Sequence, residues 1–141
     1  MIKLLTAMTG LVIGSVVISP AFAGRYSTAS VLEKTVIDKI KHPTEAMSKE
    51  DHTAILNNMR QKRNDTEKVA ALKESLKDKG ITVEQLMTLL NQFLTDDAKL
   101  DCAQYAFQYT TNYKAFLKIM DLFSQEGYKW RLEEYFDKNR K

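Results

Sequence analysis

The residues whose types could do chemistry here are scattered rather than clustered. His42 and His52 stand ten positions apart. They lack the i, i+4 helical spacing that lets two imidazoles share a metal. His42 precedes Pro43 in a turn and His52 falls on a helix face, so both read as surface or half-buried histidines. Asp96, Asp97 and Asp101 suggest a cation site, but the ligand series and central glycine of a calcium loop are missing. The first turn of a helix, where unpaired amides favour negative charge, accounts for these acids more simply. Cys102 is the single cysteine, so no internal disulfide can form. Beside Ala103 and Ala106 on a helix it reads as a small buried hydrophobe, with an intermolecular bridge left open. There is no glycine-rich phosphate loop and no G-x-S-x-G elbow. The sequence therefore names no catalytic residue, no metal ligand and no cofactor. A cofactor-free enzyme, built on carboxylates that meet only in space, is the third functional reading.

Two further groups of residues could bind rather than react. Arg60-Gln61-Lys62-Arg63 is a basic run, read as the solvated C-terminus of a helix, where positive charge meets the helix dipole. The 21 basic and 18 acidic residues are interspersed, for a net +3, which argues against nucleic acid as a partner. Aromatic residues crowd the last third of the chain, and their helical spacing assigns most of them to a core. Tyr109, Tyr113, Trp130 and Tyr135 form the candidate interaction surface, because aromatics anchor interfaces at small entropic cost.

The elements that must position these residues are helices. Residues 1–23 carry a basic start, an apolar run from Leu4 to Ile18, a break at Pro20 and the small-residue pattern Ala21-Phe22-Ala23. That is a secretory signal peptide, cleaved after Ala23, and its apolar run is short for a membrane span. Gly24 stands where a lipoprotein needs cysteine. The implied location is the periplasm or the exterior of a bacterium, with no stable membrane anchor after cleavage.

Residues 24–29 read as a flexible lead. Ser30 caps a predicted helix carrying Leu32, Val36, Ile37 and Ile40, which ends at Pro43. A helix from Ser48 presents His52, Ile55, Leu56 and Met59 on one face. Asn64-Asp65-Thr66-Glu67 and Thr82-Val83-Glu84-Gln85 both have capping-box spacing. The first opens a stripe of Val69, Leu72 and Leu76, closed by Lys77-Asp78-Lys79 and a left-handed Gly80. The second opens a stripe from Val83 to Leu94. Asp96 starts a helix with two apolar rows, Leu100-Ala103-Phe107 and Cys102-Ala106-Tyr109. Asn112 caps an α-helix with Tyr113, Phe116, Leu117, Met120 and Phe123 on its face. Gly127 marks a turn before a last amphipathic helix, and residues 137–141 read as a polar, fraying tail.

These helices form repeating units over about 48–80, 81–111 and 112–136. Each runs cap, apolar pair, aromatic or Met, acid, then lysine. The acid and lysine are Asp65 and Lys68, then Asp96 and Lys99, then Glu126 and Lys129. A hairpin with one apolar face cannot bury it alone, so hairpins must share a core. The expected fold is all-α: a single domain over 30–136, built as a small bundle or a short stack of about three helix-turn-helix hairpins plus an N-terminal helix.

Residues 81–135 resemble the domain of unknown function 4476 family. The matching positions are Thr82, Gln85, Leu89, Leu90 and Phe93, then Lys99, Leu100, Ala103 and Tyr105, then Asn112, Tyr113 and Leu117. The family often has Asp shortly before the Asn-Tyr pair, where this chain has Thr110-Thr111. The resemblance implies an exported helical module and transfers no catalytic residue. Ser48–Arg63 with Thr82–Gln85 is also similar, over a short stretch, to periplasmic chaperones of the Spy and CpxP kind. The leading expectation is a non-catalytic helical module that binds a protein or peptide partner in the cell envelope. The alternative is a small periplasmic chaperone using Met47, Met59, Met87 and Met120, since methionine adapts to varied clients.

Overall fold

The computed structural model describes residues 39–141. The expected signal peptide and lead, and residues 30–38 of the predicted first helix, lie outside the described residues. Lys39 to Lys41, expected as that helix's last turn, are not helical. The residue before Pro43 is held out of the helical region, and the chain runs on without helix to Ser48.

The described residues are all-α. α1 (Lys49–Arg60) and α2 (Asp65–Leu76) form one hairpin, and α3 (Val83–Leu90) and α4 (Asp96–Ala106) form the next. A 3-10 helix over Tyr113–Leu122 pairs with α5 (Glu126–Asn139) in the third. A 3-10 turn, Phe107–Tyr109, extends α4. Second helices pack in chain order, α2 on α4 and α4 on α5. First helices do the same, α1 on α3 and α3 on the 3-10 helix. The small bundle is thus a short stack of hairpins in two layers.

Local sequence explains most of the ends. Ser48 Oγ accepts the Asp51 N–H at 3.0 Å, Asn64 Oδ1 that of Glu67 at 2.9 Å, and Thr95 Oγ1 that of Ala98 at 3.3 Å. Thr82 and Gln85 close a full capping box. Each such cap contributes about 1 kcal/mol. The box expected at Asn64 closes differently: the Glu67 carboxylate accepts the N–H of Arg63, not of Asn64. Both apolar rows of α4 are buried, including Leu100, Cys102, Ala103 and Ala106, because α4 lies between α2 and α5. Three of these four are small, which lets the neighbours approach.

Several expectations need correcting, among them the stripe from Val83 to Leu94: α3 ends at Leu90, and Leu94 lies past it, 86 % exposed. The third hairpin opens with a 3-10 helix, not an α-helix, and it buries Phe116 and Ile119, three apart, as that helix's repeat requires. Asn112 does not cap it. Its Oδ1 accepts the Val83 N–H at 2.7 Å and its Nδ2 donates to Glu84, so the side chain serves the preceding hairpin. Gly127 is the second residue of α5 rather than a turn, and α5 continues through Asp137 to Asn139. At the end of α2 the left-handed residue is Asp78, with φ of 59°, and not Gly80.

Gly80 is required for another reason. The segments that enter successive hairpins run side by side: Met47 N–H donates to Gly80 O at 2.7 Å and Ile81 N–H to Tyr109 O at 2.9 Å. Thr111 N–H returns to Ile81 O at 2.9 Å. A Cβ on Gly80 would stand 1.8 Å from the Glu45 carbonyl oxygen, which is backbone and cannot swing aside. Gly80→Ala is therefore expected to cost about 2–3 kcal/mol through forced separation of these segments. Gly127→Ala, whose Cβ meets nothing, is expected to gain up to about 1 kcal/mol from helix propensity. Urea unfolding of the two variants checks both signs.

Candidate functional site

The polar residues with the most organised surroundings join one hairpin to the next. Asp65, first residue of α2, accepts N–H bonds from Leu94 at 3.0 Å and Thr95 at 2.9 Å, and the Thr95 hydroxyl at 2.9 Å. Asp96, first residue of α4, accepts the N–H groups of Ser124 at 2.8 Å and Gln125 at 2.9 Å. One turn on, Lys68 Nζ donates to Gln92 O at 2.7 Å and Lys99 Nζ to Leu122 O at 2.9 Å. Each carboxylate and lysine thus grip the loop of the following hairpin. The tyrosines return the contact: Tyr105 OH donates to Lys73 O at 3.2 Å and Tyr135 OH to Gln104 O at 3.0 Å. Burial pushes the Asp65 pKa up, but the Leu94 and Thr95 donors outweigh it and hold the carboxyl below its usual range.

The first-helix layer is joined as well. Gln85 Nε2 donates to Met47 O at 3.1 Å, and His52 Nε2 bonds Gln85 O at 3.0 Å, so His52 ties α1 to α3. His42 Nδ1 bonds Thr110 O at 3.0 Å, and its ring stacks on Tyr113 with centroids 3.9 Å apart. The Phe107 ring meets it edge-on at 4.9 Å. Burial lowers the His42 pKa below 6.5, offset in part by the Thr110 and Phe107 backbone bonds.

The four aromatics named from the sequence are not brought into one patch. Tyr109 is half-buried and lines an open groove with Ile40, His42, Pro43 and Gln108. Tyr113 is covered on one face by His42 and lines a different groove with Lys114, Phe136 and Arg140. Tyr135 lines a third with Gln104, Arg131, Glu134 and Lys138. Trp130 stands apart on α5 with 68 % of its surface exposed. Of the methionines, Met47 and Met59 are buried, and Met87 and Met120 are half-buried against the core. Arg60 and Arg63 are exposed and Lys62 half-buried, in the loop of the first hairpin.

Chemically, the organised polar groups hold one hairpin to the next. Cys102 is fully buried and desolvation pushes its thiol up to about 12, far from a reactive thiolate and closed to an intermolecular bridge. Asp96 and Lys99 are engaged between hairpins, while Asp101 pairs with Lys73 at 2.8 Å. Among the described residues, no three His, Cys, Asp or Glu side chains are placed to hold a metal ion. Among them, too, every buried side-chain nitrogen and oxygen has a partner. The organising pairs, Asp65–Lys68 and Asp96–Lys99, read from the sequence only as marks of a repeat. Their signal was the recurrence of acid-x-x-Lys at each second helix; that they reach forward to the next loop has no local signature.

Asp96→Ala leaves two loop amides without their acceptor and the partly covered Lys99 without its carboxylate, though with the Leu122 carbonyl, and is expected to cost about 3 kcal/mol. Asp65→Ala removes the same kind of grip at a more exposed site, where water can replace the carboxylate, and is expected to cost about 1 kcal/mol. Denaturant midpoints of the two variants check the order. His42 adds a pH dependence. Its folded pKa is lowered, so the unfolded chain takes up a proton first. The associated stability is present above about pH 6.5 and is lost as pH falls through the window below it. In thermal melts His42→Phe, which keeps the stacking, is expected to remove that part of the slope.

No curated protein and no solved structure matches this chain. Residues 46–136, from the segment that enters α1 to the last core residue of α5, match the family described as Domain of unknown function (DUF4476). The three hairpins and the grips between them are therefore the architecture of a family domain, and the chain belongs to the DUF4476 family.

Proposed function

We propose that this protein is an exported, non-catalytic binding module of the bacterial envelope, acting through the exposed face of α5. The observation that carries this reading is the setting of Trp130. With each second helix aligned on its opening acid, Trp130 occupies the position of Val69 in α2 and Leu100 in α4. Val69 packs against the core and Leu100 is 2 % exposed, whereas Trp130 is 68 % exposed. An aromatic of this size at a position otherwise covered by a neighbouring hairpin is a strong anchor for a partner.

Export is supported by the leader-like residues 1–23, and no helix among the described residues is long and apolar enough to cross a membrane. A periplasmic or secreted location follows from that reading. The protein-binding reading is favoured over a general chaperone because the methionines that would adapt to clients are buried or half-buried. Tyr113 and Tyr135 supply secondary grooves at the third hairpin, and Tyr109 one beside the segments that enter the first two.

The test has two arms. Expressed with its own leader in a bacterium, the protein is expected in the periplasmic or culture fraction with Gly24 as its first residue. Binding to envelope extract is expected to be saturable and to be lost in Trp130→Ala while the variant's unfolding midpoint is unchanged. Retained binding in Trp130→Ala would move the site to one of the tyrosine grooves. Suppression of aggregation of unrelated clients would replace this reading with the chaperone one.

A further inference from the structure

The stack has two ends, and they differ in a way that points to a partner. On α4 the stripe Asp96, Leu100, Ala103 and Phe107 is buried. The same stripe on α2 is Asp65, Val69, Leu72 and Leu76, and it too faces the core. On α5 the corresponding residues are Glu126, Trp130, Glu133 and Asp137, and all four are exposed. Lys129 stands where Lys68 and Lys99 stand and, as Lys99 does with Asp96, pairs with the opening acid of its own helix, Glu126. The last hairpin therefore carries an acid, a lysine and a large apolar side chain at the places that grip a following loop in the other two, and no other hairpin of the described residues covers them.

At the other end is a hairpin loop that no other hairpin of the described residues grips. Thirty-one residues before Leu94 and Thr95, whose N–H groups bind Asp65, lie Arg63 and Asn64. Arg60, which ends α1, and Lys62 and Arg63 of this loop are opposite in charge to Glu126, Glu133 and Asp137 of the α5 stripe. Beside it α2 presents exposed Ala70 and half-buried Ala71, small enough to seat an indole ring. The Arg63 N–H is meanwhile held by the Glu67 carboxylate at 3.1 Å, a substitute from within the same hairpin. Glu67 takes the alignment position of Ala98, which needs no such role because Asp65 supplies the carboxylate there.

We infer that α5 docks a second copy of this chain, head to tail, on the loop and outer face of its first hairpin. Glu126 would take the Arg63 and Asn64 amides in place of Glu67, Trp130 would cover Ala70 and Ala71, and Glu133 and Asp137 would face the basic loop. The association continues the repeat between molecules. It is heterologous, so each copy retains one free end of each kind. The inference rests on α5 being the docking face and names what occupies it.

Trp130 is the one tryptophan of the chain, so its emission reports directly on that face. Protein expressed with its own leader is followed by sedimentation and fluorescence from micromolar to millimolar concentration. The expected result is a rise in mass with a blue shift of emission, both weakened by salt. Glu67→Ala frees the Arg63 amide and is expected to tighten association. Trp130→Ala is expected to abolish it. Glu133→Lys and Arg63→Glu are each expected to weaken it at least about tenfold. Mixed together, these two variants retain one intact interface between them and are expected to form a heterodimer. A chain that stays monomeric with unchanged emission, as wild type and as Glu67→Ala, overturns the inference. So does association that survives Trp130→Ala, or a mixture that stays monomeric while wild type associates. A monomeric chain that still loses an envelope partner on Trp130→Ala leaves the docking face standing and removes only the second copy.

Discussion

The grip of a helix-opening carboxylate on the next hairpin's loop is the interaction on which this fold depends. Apolar burial drives the hairpins together, but it is non-directional and would tolerate a stripe sliding by a turn along its neighbour. Asp96 removes that freedom. Its carboxylate can reach the Ser124 and Gln125 amides in one register only, and Lys99 fixes the same loop through the Leu122 carbonyl. A charge as enclosed as Asp96 is tolerable because it meets two amide donors and a lysine at 3.4 Å. The same bonds satisfy amides at the start of α5, so one side chain both sets the register and opens a helix. The absence of any internal disulfide makes such register-setting bonds the more consequential.

The first-helix layer follows from the same constraint by different means. Once the second helices are in register, the entering segments at Met47, Ile81 and Thr110 are brought side by side and exchange backbone bonds. That closeness excludes a side chain at Gly80 and places Asn112 beside the start of α3. The stretch from Ile40 to Met47 then joins the third hairpin through His42 and the α3 side chain Gln85 through Met47. A contact between chain positions as distant as His42 and Thr110 is thereby secured without a long element to carry it.

What the sequence made legible divides along this line. The α-helices with strong stripes, the caps at Ser48, Asn64 and Thr82, and the threefold recurrence of acid and lysine depend on neighbours a few residues away, and they read directly. The features that did not read are set by distant partners. Asn112 has the type and place of a cap, yet its amide is committed to α3. The helix after it carries apolar residues at spacings of both three and four, and only packing on α3 and α5 selects the tighter winding. Gly80 resembled a helix-ending glycine because the approach of Glu45 is invisible from position 80. For the candidate site the sequence supplied Trp130 as one aromatic among four; its separation from Tyr109, Tyr113 and Tyr135 required the fold.

The exposed stripe of α5 is best understood against the physics of repeat proteins. A stack of hairpins leaves an apolar surface at each end unless the terminal units differ from the interior ones. The first hairpin differs by Glu67, which takes up an amide that an earlier unit would have bound. The last differs by Glu133 and Asp137, which stand where Ala103 and Phe107 lie buried in the second. Both changes close an end. Trp130 does not fit that pattern: a polar side chain there would complete the closure that Glu133 and Asp137 begin. Instead the stripe keeps its largest apolar side chain among Glu126, Glu133 and Asp137, with Lys129 and Arg131 on either side of it in the chain. On the proposed reading, that one exposed anchor is what a partner covers, and the charges beside it decide which partner fits.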